Sequence, residues 1–413
     1  MQLKRVSCAL FALLSSVSAR PSSAQIVEVD TRVTVFAEPS PSSHLLVVHP
    51  GARVTGLPSE SVRVYAGYDA DIVSGATEPI KAGPLSGVDV VSGATSFDDV
   101  RHVGQGGFSI ERRATRLSGS YAYGTESDYR SQSFSVSAGA DFFQKNTQID
   151  LSYARGFDRV CTSEFSSTVP PSSRQALDSS TGCFSSAADN RATRDVELDN
   201  FQVAWTQSWT PVFTTQAVLT GQLQNGFLEN PYRSVVIAPS GEAALENHPE
   251  NRARGALTLH GRYFIRSWRA ALGVSVRGYH DTWDLWAGTY ELSLERHFTP
   301  WLRVLGRARF HQQSGVLFWS DDYTGGEPQT GPRGQYWTGD RELSPLLSYS
   351  AGARAVATTR GRAGDRVLGV FLEGSLGLSL DLLKTDLEEF TWAGKKPDDT
   401  FGGMLTLILS GSL

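Results

Sequence analysis

The sequence predicts an all-β chain, a transmembrane antiparallel up-and-down β-barrel of about 16 strands with short turns at one end and long loops at the other. Three observations predict it. Apolar and polar residues alternate with period 2 over many long segments. Short and long connections between those segments alternate along the chain. No run after the N-terminus reaches the length of a transmembrane helix, so contact with a membrane must be made by strands. The clearest segment is 367–382. Leu368, Val370, Leu372, Leu376, Leu378, Leu380 and Leu382 share one parity, while Gly369, Glu373, Ser375, Gly377, Ser379 and Asp381 share the other. A helix, with its period of 3.6, would mix the two sets. As a strand the segment has an oily face for lipid and a small, polar face for water.

In chain order, residues 1–24 read as a secretory signal peptide. Lys4 and Arg5 precede the apolar run 6–17, small residues follow it, and cleavage is expected after Ala24, with Ala19 second. The run is too short to cross a bilayer as a helix. Cys8 falls early in the run and is not read as a lipid anchor. The whole chain has 38 basic and 43 acidic residues. Lys4, Arg5 and Arg20 lie in the removed part, which leaves 35 against 43, or −8. A nucleic-acid binder would show a basic face, so that class is excluded.

Length alone would suggest two or three soluble domains. No Pro/Gly/Ser linker divides 25–413, however, and the 40 glycines recur from end to end. One barrel domain is therefore expected over 25–413. Strands are placed where alternation is clean. Leu117, Tyr121 and Tyr123 share an outward parity, as do Phe134, Val136 and Phe142; Ile149, Leu151 and Tyr153; Phe201, Val203 and Trp205; and Leu405, Leu407 and Leu409. Their intervening partners are mostly Ser, Gly, Thr and Gln. A soluble sandwich turns its apolar face inward and would carry many lysines on its polar faces.

Short turns are expected at 57–61, 112–114, 144–147, 209–211, 265–268, 297–301 and 358–366. Longer or polar connections fall at 39–43, 74–100, 124–131, 155–194, 225–252, 279–287, 314–344 and 384–400. The two kinds alternate strictly, which puts all short turns on one rim and all long loops on the other. Trp209, Trp268, Phe298 and Trp301 flank short turns, and Tyr123, Trp283, Trp286 and Trp319 flank long loops. Two aromatic girdles at the lipid–water boundaries are expected from such positions.

The segments Arg32-Val-Thr-Val-Phe36, Asn230-Pro-Tyr-Arg233, Pro249-Glu-Asn-Arg252, Ser320-Asp-Asp-Tyr-Thr-Gly-Gly326 and Gln335-Tyr-Trp-Thr-Gly-Asp-Arg-Glu-Leu-Ser-Pro345, with Tyr129-Arg-Ser131, carry a family resemblance. The chain resembles an uncharacterised family of bacterial outer-membrane β-barrels, domain of unknown function 3570, over nearly all of its mature length. The resemblance implies the barrel, the outer membrane of a Gram-negative bacterium and the lipid bilayer and outer-membrane assembly machinery as partners. It implies no activity. The last strand ends in Leu413, where assembly signals usually carry an aromatic residue.

Candidate sites follow from parity and motif. Arg262, Arg277, Glu291, Glu295, Arg303 and Arg307 fall on the polar side of four consecutive segments, with His260, His297 and Arg309. Pairing across 297–301 brings Glu295 near Arg303, and Glu291 near Arg307 or Arg309. These groups either form a selectivity ladder for small charged solutes or pair off as lumenal ion pairs, which is the favoured reading because the signs oppose. Asp71-Ile-Val-Ser-Gly-Ala-Thr77 recurs as Asp89-Val-Val-Ser-Gly-Ala-Thr95. The repeat resembles the acceptor motif of exported proteins that receive covalent FMN on a threonine, which makes Thr77 and Thr95 the acceptor candidates. Pro79 and Phe97 stand where the fuller motif often has Ser or Thr. The alternative is two small-residue strand ends bracketing one loop. Asp321, Asp322 and Asp340 offer oxygen ligands for Ca2+ without the spacing of an EF-hand, and loop packing and solvation account for them more simply.

Cys161 and Cys183 remain after signal removal, an even count in an exported chain, and a disulfide is expected. A metal site is disfavoured because 155–194 contains no His. No Gly-x-Ser-x-Gly, His-Glu-x-x-His or P-loop is present and no catalytic set is assigned, so an enzyme is the less favoured reading, with a Ser/His/Asp set assembled from distant strands left open. Passage of small solutes through a lumen narrowed by the long loops is the leading function. Flavin display on a barrel and a surface scaffold or adhesin are the alternatives.

Overall fold

The computed structural model describes residues 26–39, 44–75, 80–81, 90–94, 97–164, 168–179, 182–184, 191–237, 243–321, 323, 336–359, 373–387 and 399–413. The expected signal peptide lies outside them. Among the described residues twenty strands run in chain order: β1 (Val27–Pro39), β2 (His44–Ser59), β3 (Val62–Gly75), β4 (Ile80–Lys81), β5 (Val90–Ala94), β6 (Phe97–Arg112), β7 (Thr115–Thr125), β8 (Tyr129–Phe142), β9 (Thr147–Ser163) and β10 (Arg191–Thr210). They continue with β11 (Phe213–Gly226), β12 (Arg233–Val236), β13 (Ala243–Leu245), β14 (Asn251–Ile265), β15 (Ala270–Asp281), β16 (Trp286–His297), β17 (Leu302–Gln313), β18 (Leu346–Thr358), β19 (Glu373–Asp386) and β20 (Thr400–Ser412). Sixteen of these close into one antiparallel barrel, with β20 pairing back onto β1. The other four form a separate small sheet in the order β13-β12-β5-β4.

The side-chain parity decides what the barrel is. Val136 and Leu378 are each 50% exposed, and Leu376, Leu380 and Leu382 are exposed beside Leu378. A soluble protein does not leave such a contiguous apolar belt in water; a bilayer solvates it. The alternating partners face the lumen: Ser118 hydrogen-bonds Ser137 and Ser120 hydrogen-bonds Ser135 across β7 and β8. Among the described residues no second sheet covers the outer face.

The turn partition follows the expected alternation. Short turns join β2 to β3, β6 to β7, β8 to β9, β10 to β11, β14 to β15 and β16 to β17. The turn expected at 358–366 lies mostly outside the described residues, and the long excursions, with the tight β7–β8 turn, leave from the opposite end. Arg113, Phe143, Gln144, Lys145 and Arg269, all with positive φ, sit in the short turns. Trp209, Trp268, Phe298 and Trp301 are exposed at that rim, and Tyr123 and Trp286 at the other. Trp283 departs from its expected girdle position. It is buried among Leu285, Val316 and Phe318, with Trp319 packed against them.

Two boundaries differ from expectation. The segment 155–194 is not all loop, because β9 runs on to Ser163 and β10 begins at Arg191. Cys161 therefore lies on a strand. Val160, Cys161 and Thr162 are buried in succession, since both faces of the strand are covered once it has left the bilayer, and alternation vanishes there. The second concerns 367–382. Residues 360–372, including Leu372, lie outside the described residues, and β19 continues beyond Leu382 to Asp386.

The dry apolar clusters lie at the long-loop end. One joins Val235, Ile237, Ala244, Tyr323 and Trp337; another joins Val160, Val196, Phe227 and Leu245. The small sheet draws β4 and β5 from the β3–β6 connection, and β12 and β13 from the β11–β14 connection. Asn247 also bridges to Trp337, in the β17–β18 connection. These three connections root at separated places on the rim, with β7 to β10 between the first two and β15 and β16 between the last two. They can meet only across the mouth. The result is a cap with its own hydrophobic core.

Candidate functional site

Lumen-facing charges are held by a recurring device. Arg32, Gly51 and Asp69 lie opposite one another on β1, β2 and β3, and the Arg32–Asp69 pair spans 3.5 Å over the glycine. Arg116, Gly139 and Asp150 repeat this on β7, β8 and β9 at 2.9 Å. Arg307, Gly352 and Asp381 repeat it on β17, β18 and β19 at 2.8 Å. A Cβ on Gly352 would collide with the Asp381 carboxylate, so the middle residue must be glycine for the ions to meet above it. Each rung staples three strands on the wet side.

This device places Arg307 on Asp381 rather than Glu291. Glu291 lies directly opposite Arg309. Glu295 takes two partners, Arg303 at 3.0 Å and Arg262 at 2.7 Å, which makes one carboxylate serve two guanidiniums. Arg277 forms no ion pair among the described residues. The Arg262 side chain is 63% exposed and those of Arg303 and Arg307 are 44% and 41% exposed. These side chains point away from lipid, so the water they meet is lumenal.

A cavity of about 550 Å³ opens on the lumenal side of β8 to β15. Arg254 and Arg277 bring charge to it, and Asn200, Gln202, Gln222 and Thr220 bring neutral donors and acceptors. Arg254 is legible by parity, two residues before Ala256 on the face opposite Leu257 and Leu259, just beyond the loop expected at 225–252. A second lumenal cavity, about 290 Å³, holds Arg262, Glu291 and Glu295.

The cap is fastened by ionic contacts at the rim. Arg341 donates two bonds to Glu38 of β1, at 2.7 and 3.0 Å, and both groups are buried. Asp281 is also buried. It accepts from Arg252 at 2.9 and 2.5 Å, from the Tyr279 hydroxyl at 2.6 Å and from the Trp283 amide at 2.9 Å. Cys161 and Cys183 form a disulfide with Cα atoms 5.5 Å apart, which ties the β9–β10 connection to the top of β9.

At the same rim Asp99, Glu126 and Asp128 bring carboxylates within 4.8 Å of one another. The Ser127 hydroxyl donates to Asp99 and the Tyr232 hydroxyl to Asp128. Burial, reinforced by Asp128 and Asp99, pushes the Glu126 carboxyl up to about 7. Burial raises Asp128 too, against the pull of its Tyr232 hydrogen bond. No sequence signal pointed to this group, because its members come from a strand end and a tight turn.

The other candidates separate. Asp340 caps the short 3-10 helix Arg341–Leu343 through the Glu342 amide and lies 3.6 Å from Arg233. Asp321 joins no three-ligand group among the described residues, and Asp322 lies outside them. Thr77 and Thr95 also lie outside the described residues. Asp71, which opens the first repeat, is on β3 and hydrogen-bonds His49 at 2.5 Å. Val90 to Ala94 of the second repeat form β5, whose Gly93 and Ala94 pair with Ser234 and Arg233.

No curated protein matches the chain. Among solved structures, a bacterial polysaccharide outer membrane secretin is similar at 10% identity and a TM-score of 0.48, covering 94% of this chain and 98% of that one. OccK3 (OpdO) of Pseudomonas aeruginosa is similar at 7% identity and TM-score 0.41, covering 94% and 95%. OmpT of Vibrio cholerae is similar at 9% identity and TM-score 0.38, covering 95% and 99%. Similarity this low identifies no shared function. The family description "Protein of unknown function (DUF3570)" matches residues 3–360, and the chain belongs to that family.

Proposed function

We propose that this chain is exported by its N-terminal signal, inserted by the assembly machinery into the outer membrane of a Gram-negative bacterium, and passes small solutes in porin-like fashion. The observation that carries the reading is the hydrated lumenal wall. Arg262, Arg303 and Arg307 stay partly to largely exposed while facing away from lipid, which supports an open space at their level among the described residues. A barrel of this strand number leaves an aqueous interior unless something fills it. The cap narrows entry, and solutes pass around or through its loops. Planar-bilayer recording of the purified protein tests the reading. Discrete conductance steps are expected, and their absence from correctly folded protein contradicts it.

Flavin display at Thr77 or Thr95 is the second reading, favoured by the repeated Asp-x-x-Ser-Gly-Ala-Thr spacing alone. Intact mass of protein from the native host separates it. The channel reading expects the bare mature chain, and the flavin reading expects one or two added FMN groups and a yellow colour.

A further inference from the structure

We propose that the lumenal cavity between β8 and β15 is a binding site for a small hydroxylated carboxylate, held by Arg254 and Arg277. The inference starts from a charge imbalance. On the wall from β1 to β9, the arginines of the glycine rungs meet aspartates: Arg32 meets Asp69, and Arg116 meets both Asp141 and Asp150. On the opposite wall the acids are mostly engaged, and Glu291 faces Arg309 across the strand register. Glu295 is engaged by Arg262 and Arg303, and Asp381 by Arg307. Asp281 lies opposite Arg254 in the strand register. Its oxygens, however, are taken by Arg252, Tyr279 and backbone amides. Arg254 and Arg277 are left without an ion-pair partner among the described residues, and the Arg254 Nε is buried without a hydrogen bond.

Both guanidiniums line the same cavity, and among the described residues no carboxylate lines it with them. A planar guanidinium matches a carboxylate in geometry as well as charge. The remaining polar lining is neutral, including Asn200, Gln202, Gln222 and Thr220. Amides and hydroxyls both donate and accept, which suits the hydroxyls of a polyol chain and gives nothing to an apolar acid. About 550 Å³ fits a solute of six or so carbons with some water. The inference rests on the channel reading only for the route by which the solute arrives.

Gluconate and glucose are the probes, titrated calorimetrically into folded, detergent-solubilised full-length protein. Gluconate should bind, and glucose should bind at least about tenfold more weakly, the ratio expected when charged hydrogen bonds are lost. R254Q/R277Q should bring gluconate down to the glucose level, R277Q alone should lose about tenfold, and K145Q, in a turn at the far rim, should match the parent. Folding of each variant is checked by heat-modifiable gel migration. R277Q changes an exposed side chain and keeps the test open if the double variant misfolds. Equal binding of the two probes, or undiminished gluconate binding in R277Q, overturns the inference. If conductance steps appear without gluconate preference, the anion site falls and the channel stands. Gluconate binding without steps removes the channel and leaves the site.

Discussion

Glu126 shows how one side chain connects burial to behaviour. Its carboxyl sits in the tight turn between β7 and β8, shielded from water and faced by Asp99, Asp128 and Asp71, with Arg101 the opposing cation. A raised folded-state pKa means that the folded form prefers the proton, so the contribution to stability is full at low pH and is lost as pH rises through about 7. The turn also accepts the Cys161 amide on the Asp128 carbonyl and the Phe184 amide on the Ser127 carbonyl. Protection of those two amides from hydrogen exchange should fall between about pH 4.5 and 7 in the parent, level off above that, and stay level throughout in Glu126→Gln. A flat parent profile would refute the assignment. Gly352 gives a second prediction. Gly352→Val places carbon where the Asp381 carboxylate now passes, so Arg307 and Asp381 must part, at a cost of about 1–3 kcal/mol in urea unfolding. Arg307→Gln should cost a similar amount, about 1–3 kcal/mol, because it leaves the buried Asp381 carboxylate without its cation.

At the scale of the strand, β19 and β9 mark what the sequence discloses. In β19 one face meets lipid and the other water, so Leu376, Leu378, Leu380 and Leu382 alternate cleanly with Gly377, Ser379 and Asp381, and both strand and parity could be read directly. Leu378→Arg puts a charge in the apolar belt and should cost about 2–4 kcal/mol, whereas Ser379→Arg, facing the lumen, should leave the unfolding midpoint nearly unchanged. In β9 the readable part stops near Phe157. Beyond it the strand enters the cap, both faces are covered, and Val160, Cys161 and Thr162 carry no alternation. The same loss hid the cap sheet, since the three-residue strand β13 is too short to show a period. Lumenal partners were half legible. Register across one hairpin places Glu295 beside Arg303, but the Arg307 to Asp381 bond crosses an intervening strand, and only the glycine at its centre allows it. Reducing the Cys161–Cys183 disulfide should open the β9–β10 connection to protease while the barrel keeps its heat-modifiable migration. Unfolding of the whole barrel on reduction would show the bond to be global.

Over the whole molecule two kinds of stability coexist. The barrel wall closes on itself through backbone pairing from β1 round to β20, and lipid takes the apolar surface that a soluble protein would bury. The cap behaves as a soluble unit, with a dry core around Val235 and Trp337 and buried ionic fastenings such as Arg341 with Glu38. Arg341→Ala leaves Glu38 buried and unpaired, at a cost of about 3–5 kcal/mol. That loss should fall on the cap alone, read as faster proteolysis of the loops with an unchanged barrel. All of this depends on which way the two parities of the wall face. Single cysteines at 376 to 381, each spin-labelled in protein reconstituted into lipid, test this most directly. Labels at 376, 378 and 380 should be relaxed by oxygen dissolved in the bilayer, and labels at 377, 379 and 381 by a water-soluble nickel complex. The same accessibility at all six positions, or the opposite alternation, would contradict the lipid-facing belt and the wet lumen together.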